Sequence, residues 1–171
     1  MKLNFQKCCE KDVKVLSKIS RETFIDAFEK QNNPTDFKNY ISKAFSFETM
    51  YKELCNTASH FFFIYKEKEL IGYFKLNEFD AQTELKEKKG IELERIYIIR
   101  EHQGKSLGRE ALLKVLEMAI KKDKEYIWLG VWERNLDAIR FYQRHGFVKF
   151  DTHPYYIGSD KQTDWLMRKE L

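Results

Sequence analysis

One stretch, Ile91 to Leu113 (IELERIYIIREHQGKSLGREALL), narrows the choice of fold more than any other. Apolar residues alternate from Ile91 to Ile99, the period of a β-strand. A short polar loop, Arg100 to Ser106, follows and holds Gly104. Then Leu107, Ala111, Leu112, Val115 and Leu116 recur at the spacing of one helix face. A strand that turns directly into a helix aims free backbone N–H groups at one point, because the first helical turn has no internal partners for them. The helix dipole adds partial positive charge there. The join therefore predicts a site for a phosphate or pyrophosphate.

The rest of the chain supplies elements around this join. Lys2 to Cys8 alternates as a first strand. Val13, Leu16, Ile19, Phe24 and Phe28 predict a helix over Asp12 to Phe28, broken at Asn32, Asn33 and Pro34. A second helix is expected over Thr35 to Phe45, and Ser46 caps a third over Phe47 to Asn56. His60 to Lys66 and Leu70 to Phe79 read as a hairpin, with Gly72 marking a place where a side chain is unwelcome. Ala81 to Gly90 is a charged loop. Tyr126 to Trp132 (YIWLGVW) is nearly all apolar, as a strand buried on both faces should be. Asn135 to His145 is a short helix ended by Gly146. Phe147 to Asp151 and Gln162 to Arg168 are two closing strands. This order predicts one α/β (α+β) domain over residues 1–171, with a mixed sheet and helices on both faces. The central strand–helix–strand unit requires a parallel pair with a right-handed crossover.

Composition removes several function classes. The net charge is +4, but acids are interleaved with the bases, so no basic face for nucleic acid stands out. Lys121, Lys122 and Lys124 read as solvated cations at a helix C-terminus. Cys8, Cys9 and Cys55 are odd in number and lack C-x-x-C spacing, so neither a disulfide framework nor a zinc site is expected. His60, His102, His145 and His153 are scattered without metal-ligand spacing. The N-terminus has no long apolar segment and the longest apolar run is Phe61 to Tyr65, so a cytoplasmic protein without a membrane span is expected.

Gly104-Lys105-Ser106 hints at a nucleotide P-loop, but that motif needs a glycine where Ile99 stands. The dinucleotide pattern fails as well, because Ser106 occupies its second glycine position. What remains is Gln103-x-x-Ser106-x-Gly108 between strand and helix, followed by Asn135-x-x-Ala138-x-x-Phe141-Tyr142-x-x-x-Gly146-Phe147. Together these resemble the GNAT superfamily of N-acetyltransferases, in element order over nearly the whole chain. Ser106 is the one departure, since it stands where the family usually has glycine. Phe61 to Tyr65, Glu94 to Ile98, Ile127 to Glu133 and Gln162-Thr163-Asp164 are similar to the PaiA-type branch, described as spermidine/spermine N-acetyltransferases. That branch was named for a regulatory effect on genes, although no helix-turn-helix spacing is visible here to support direct DNA binding.

The resemblance implies a mostly antiparallel sheet with a splayed parallel pair, and acetyl-CoA as donor. It implies that Ile96, Tyr97 and Ile98 hold the pantetheine through their backbone, with an Ile98 N–H toward the developing oxyanion. It places the pyrophosphate at Gln103, Gly104, Lys105, Ser106, Leu107, Gly108 and Arg109, and Gly130 and Asn135 along the arm. Lys105 and Arg109 are equally readable as solvated helix-start cations, and Asn135 as a helix N-cap. Tyr142 corresponds to the family tyrosine that protonates the leaving thiolate. A primary amine is mostly protonated at neutral pH, so a base is needed. Glu94 is the candidate, with Glu92 on the same strand face as helper; the alternative is that both merely pair with Arg95 or nearby lysines. For the acceptor, Glu22, Asp26 and Glu29 share a helix face, and Trp132, Tyr155 and Tyr156 offer cation–π surfaces. The expected acceptor is a polyamine. Another amine, a protein acceptor, or a CoA-binding regulatory protein without turnover are the alternatives, and the family's common dimer is an expectation of the same kind.

Overall fold

The computed structural model describes residues 3–171, so Lys2 of the first expected strand lies outside the described residues. Seven strands form one sheet in the order β1-β2-β3-β4-β5-β7-β6. They are β1 (Leu3–Lys7), β2 (Ser59–Lys66), β3 (Glu69–Asn77), β4 (Gly90–Ile98), β5 (Tyr126–Trp132), β6 (Val148–Ile157) and β7 (Asp160–Glu170). β4 and β5 run parallel, and every other adjacent pair is antiparallel. The helices are α1 (Val13–Phe28), α2 (Pro34–Ala44), α3 (Phe47–Cys55), α4 (Leu107–Lys121) and α5 (Leu136–Arg144).

Two cores sandwich the sheet. On one face Ala111, Leu112, Val115 and Ala119 of α4 and Ile139 of α5 pack against Phe74, Ile91, Leu93 and Ile127. On the other, Leu16 and Ile19 of α1, Phe37 and Ile41 of α2 and Met50 of α3 cover Phe61, Phe63 and Tyr73. The helix periods therefore matched the buried faces. Ser46 and Asn135 cap helices as the sequence implied, and Asn33, read only as a helix break, caps α2. The Asn33 side chain accepts from the Thr35 and Asp36 N–H groups, Ser46 from Thr49, and Asn135 from Ala138. At Gly72 an added Cβ would lie 2.2 Å from the Tyr97 carbonyl oxygen, so the close approach of β3 and β4 requires glycine.

Three expectations need correction. The closing strands are longer than the apolar pattern, reaching Val148–Ile157 and Asp160–Glu170. The first of them contains Pro154. It is tolerated because β6 is an edge strand, paired with β7 alone. The second hairpin strand stops at Asn77, and Phe79 enters a tight turn with φ of 50°. The three lysines after α4 are not one solvated group. Lys122 and Lys124 lie 2.5 Å and 2.9 Å from Glu78, whose side chain is only 8% exposed. His60 joins the same carboxylate at 2.8 Å. Burial pushes the Glu78 carboxyl up, but these three donors outweigh it and hold it at about 2. Lys121 and Lys122 are exposed as expected, although Lys122 reaches Glu78, and Lys124 is buried.

Candidate active site

β4 and β5 are in register at Gly90, Ile91 and Glu92 against Tyr126, Ile127 and Trp128, and then part. The wedge between them opens into a cleft of about 750 Å³. Its walls come from β4, β5, α1, the start of α5 and the β6–β7 pair. Ile99 N–H donates to the Ile71 carbonyl of β3 at 2.8 Å. Successive N–H groups of a strand face opposite edges, so the Ile98 and Ile96 N–H groups face the parted side. The splay thus leaves backbone donors in the cleft without any polar side chain.

At the end of β4 the chain turns through Arg100–His102 into the loop before α4. The Gln103 side chain donates to the Ile98 carbonyl at 2.8 Å and fastens this loop to the strand. Ser106 adopts φ 60° and ψ 5°, the left-handed conformation that glycine favours. Serine here occupies a conformation that glycine would adopt freely, which places strain on one residue. Glu110 N–H bonds to the Ser106 carbonyl, which opens the helical ladder. Among the described residues, no backbone carbonyl accepts from the N–H groups of Gly104 to Arg109. Nothing lies within 4 Å of a Cβ built on Gly104 or Gly108. The Lys105 ammonium turns back to the Glu101 carbonyl at 2.7 Å, and Arg109 is exposed. The residues placed at the cofactor by sequence thus divide. Ile96, Tyr97, Ile98, Gln103, Gly130, Asn135 and Tyr142 line the cleft, while Gly104 to Arg109 form the rim beyond it.

A bulge shapes the acceptor side of β4. Leu76 stands opposite Leu93 and Lys75 opposite Arg95, so Glu94 is the extra residue. Apolar positions shift from Ile91 and Leu93 to Ile96 and Ile98, and all four stay on the α4 side. Glu92 and Glu94 share the opposite side, both accepting from the Asn77 amide, at 3.0 Å and 2.5 Å. Their environments differ. Glu92 also accepts from the Thr83 N–H and hydroxyl at 2.8 Å and 2.6 Å. Burial and the neighbouring Glu94 charge nonetheless push its carboxyl up. Glu94 is 2.5 Å from Lys75 and 3.2 Å from Arg95. Glu53 of α3 closes a four-charge ring, at 2.9 Å from Lys75 and 3.1 Å from Arg95. Burial raises Glu94, but Arg95 and Lys75 outweigh it and hold the carboxyl at about 2. A carboxyl so held is a weak proton acceptor. The ion-pairing alternative describes Glu94, with Lys75 as a partner the sequence did not suggest.

Tyr142 lines the cleft from α5, packed edge-on against Phe141 and Phe147. Burial alone pushes its phenol up, so it stays protonated across the neutral range. Asn135 spends its side-chain oxygen on the Ala138 N–H at 3.2 Å and keeps its amide N–H groups for the cleft. Of the three acids Glu22, Asp26 and Glu29, only Asp26 lines the cleft. Glu22 is solvated beside Lys18, and Glu29 falls in the turn after α1. Trp132 and Tyr155 line the cleft, whereas Tyr156 on the alternate face of β6 is exposed. Sequence reasoning missed Glu84, His153 and Asp164, which also line it. Asp164 lay inside a stretch that carried the resemblance, but no period or spacing pointed to its side chain. Among the described residues no cluster of His, Cys, Asp or Glu could hold a metal.

A model of the acetyltransferase (GNAT) family matches residues 19–147. The chain belongs to the GNAT family. An N-acetyltransferase of Lactobacillus delbrueckii subsp. lactis, known from the pepI 3' region and uncharacterized, is 38% identical over 95% of this chain and 94% of its own length. The spermine/spermidine N(1)-acetyltransferase of Bacillus subtilis is 33% identical over 85 residues, 49% of this chain and 56% of that protein. The crystal structure of the PaiA N-acetyltransferase of Thermoplasma acidophilum in complex with coenzyme A superposes with a TM-score of 0.79 over 100% of both chains at 22% identity. In GNAT terms, the fold is the mixed, mostly antiparallel sheet with one splayed parallel pair that the sequence implied.

Proposed function

We propose that this GNAT protein transfers the acetyl group of acetyl-CoA to a primary amine, with a polyamine such as spermidine or spermine as acceptor. The observation that carries the reading is the splay itself. One cleft joins unpaired backbone donors of β4, a buried phenol on α5 and a wall of carboxylates and aromatic rings. The free N–H groups from Gly104 to Arg109 and the open space at Gly104 and Gly108 suit a pyrophosphate. The parted edge of β4 suits a pantetheine amide chain, and Asn135 can donate to it. The donor supplies an acetyl thioester, whose sulfur leaves as a thiolate. The Ile98 N–H is placed to stabilise negative charge on the carbonyl oxygen. Tyr142 gives the sulfur its proton, which a thiolate with an ordinary thiol value of about 8.5 accepts through a short-lived hydrogen bond. Glu92 keeps a carboxylate at the acceptor side, and Glu94 holds the ring that shapes β4.

A polyamine is a flexible chain carrying several ammonium groups. Asp26, Glu84, Glu92, Glu94, Asp137 and Asp164 line the cleft against Arg95 and Arg100. Glu94 and Arg95 satisfy one another. The remaining excess is anionic. Trp132 and Tyr155 add faces for cation–π contact. The similarity to the Bacillus subtilis enzyme over half the chain favours the same acceptor class. Thiol release from acetyl-CoA with a panel of amines tests the reading. Turnover with spermidine or spermine is expected; release with no amine in the panel overturns it.

A further inference from the structure

We propose that Asp164 is the general base: its carboxylate takes a proton from the acceptor ammonium and hands it, along His153 and Glu84, to solvent. This rests on the amine-acetylation reading above.

The case begins with hydrogen bonding. Of the carboxylates in the cleft, Glu92 is held by Asn77 and Thr83, and Glu94 by Asn77, Lys75 and Arg95. Glu84 is held by His153 and Asp137 by Arg140, while Asp26 is exposed. Asp164 is half-buried, and among the described residues no N–H or O–H donates to it. A carboxylate in that position lacks the hydrogen bonds that would replace water, so it is the group with most to gain from an ammonium or a proton.

Its placement fits the task. Asp164 lies on β7 between Trp132 of β5 and His153 of β6. The Asp164 Oδ2 lies beside Gly130 of β5, 3.5 Å from where a Cβ would stand there, and both residues line the cleft. His153 is paired across the sheet from Asp164, and its Nδ1 is 3.1 Å from Glu84. The Glu84 side chain is 33% exposed, which gives the proton a way out.

The charged groups facing Asp164 are His153 of β6, Glu133 just after β5 and, behind His153, Glu84. Burial raises the Asp164 carboxyl, Glu133 adds to this and His153 opposes it, which leaves it at about 6. An alkylammonium has a value of about 10.4, so proton transfer to Asp164 is unfavourable by about 10⁴. Transfer to Glu94, held at about 2, is unfavourable by about 10⁸. The proton balance closes. One proton passes from the ammonium to Asp164 and on to solvent. The neutral nitrogen attacks the acetyl carbon, the N–C bond forms and the C–S bond breaks. The second nitrogen proton departs on collapse and offsets the one that Tyr142 gives to sulfur.

The test compares wild type, Asp164→Asn, Asp164→Glu and Glu92→Gln in steady-state kinetics with acetyl-CoA and spermidine from pH 5 to 9, with CoA binding followed by calorimetry. Wild-type kcat should fall as pH drops through about 6, because the base must be ionised. Asp164→Asn should lower kcat by about 10²-fold or more and remove that limb, with CoA affinity unchanged. Asp164→Glu should restore part of the rate and a limb. A rate within threefold of wild type in Asp164→Asn overturns the proposal, as does a loss confined to KM. So does disappearance of the limb in Glu92→Gln instead. No turnover by wild type with any amine overturns the proposal and the acetyl-transfer reading together, whereas an active wild type with an indifferent Asp164→Asn overturns the proposal alone.

Discussion

Glu94→Gln separates a structural ion ring from a proton-accepting base. The substitution keeps the side chain's shape and its bond with Asn77 but removes the charge facing Lys75 and Arg95. Two cations would then share Glu53 alone. Holding the Glu94 carboxyl at about 2 instead of its ordinary 4.5 corresponds to about 3 kcal/mol of folded-state stabilisation. Breaking a buried pair from one side costs about 3–5 kcal/mol by general experience, so the two figures agree. For a chain of 171 residues this lowers the melting temperature by about 6–12 °C. The pH sign follows from a depressed folded-state value. The contribution is complete above 4.5 and is lost as pH falls toward 2. Thermal melts by far-ultraviolet circular dichroism should therefore show the full difference at pH 7, narrowing steadily below pH 4.5. Melting within 2 °C of wild type at pH 7 would refute the ring's stabilising role. Because Glu94 is ionised across the whole working range, its removal should leave the acid limb of kcat in place. Loss of that limb would return the base assignment to Glu94.

Tyr142→Phe should lower kcat by about 10²-fold while leaving CoA affinity within twofold, because only the phenol's proton is removed; a wild-type kcat would refute the acid role. Ser106→Gly should raise the melting temperature by about 1–4 °C, since relief of a left-handed serine exceeds the extra entropy of glycine by a few tenths to one kcal/mol. A lower melting temperature would contradict the assigned backbone conformation. Lys124→Met should destabilise by about 3 kcal/mol or more in denaturant titrations at pH 7, by leaving buried Glu78 one cation short. Its effect should shrink below pH 4.5, where Glu78 protonates on unfolding, and an unchanged midpoint would show the cluster to be inert.

Local periodicity carried much of the fold. The phase slip on β4, from Ile91 and Leu93 to Ile96 and Ile98, records a bulge that keeps both glutamates on one side. Ser46 and Asn135 marked helix starts because capping is a contact between near neighbours. The missing pieces are contacts across long separations. Glu53 meets Arg95 from 42 residues away and Lys122 meets Glu78 from 44, and no pattern along the chain encodes such pairs. The same limit hid Glu53 and Lys75 as partners of Glu94 and Arg95, and Glu78 as the partner of Lys124. Asp164 gave no local signal, because its position in the cleft depends on β7 lying between β5 and β6. Edge strand β6 runs on through Pro154, which only an edge position excuses.

The most direct test of the central claim is kcat/KM for spermidine beside that for butylamine, with acetyl-CoA saturating. Both offer a primary amine on a similar alkyl chain, and only spermidine brings further ammonium groups to the carboxylates of the cleft. A charged hydrogen bond of about 1.5–3 kcal/mol predicts a preference of about 10- to 100-fold for spermidine. Equal values would contradict a polyamine acceptor.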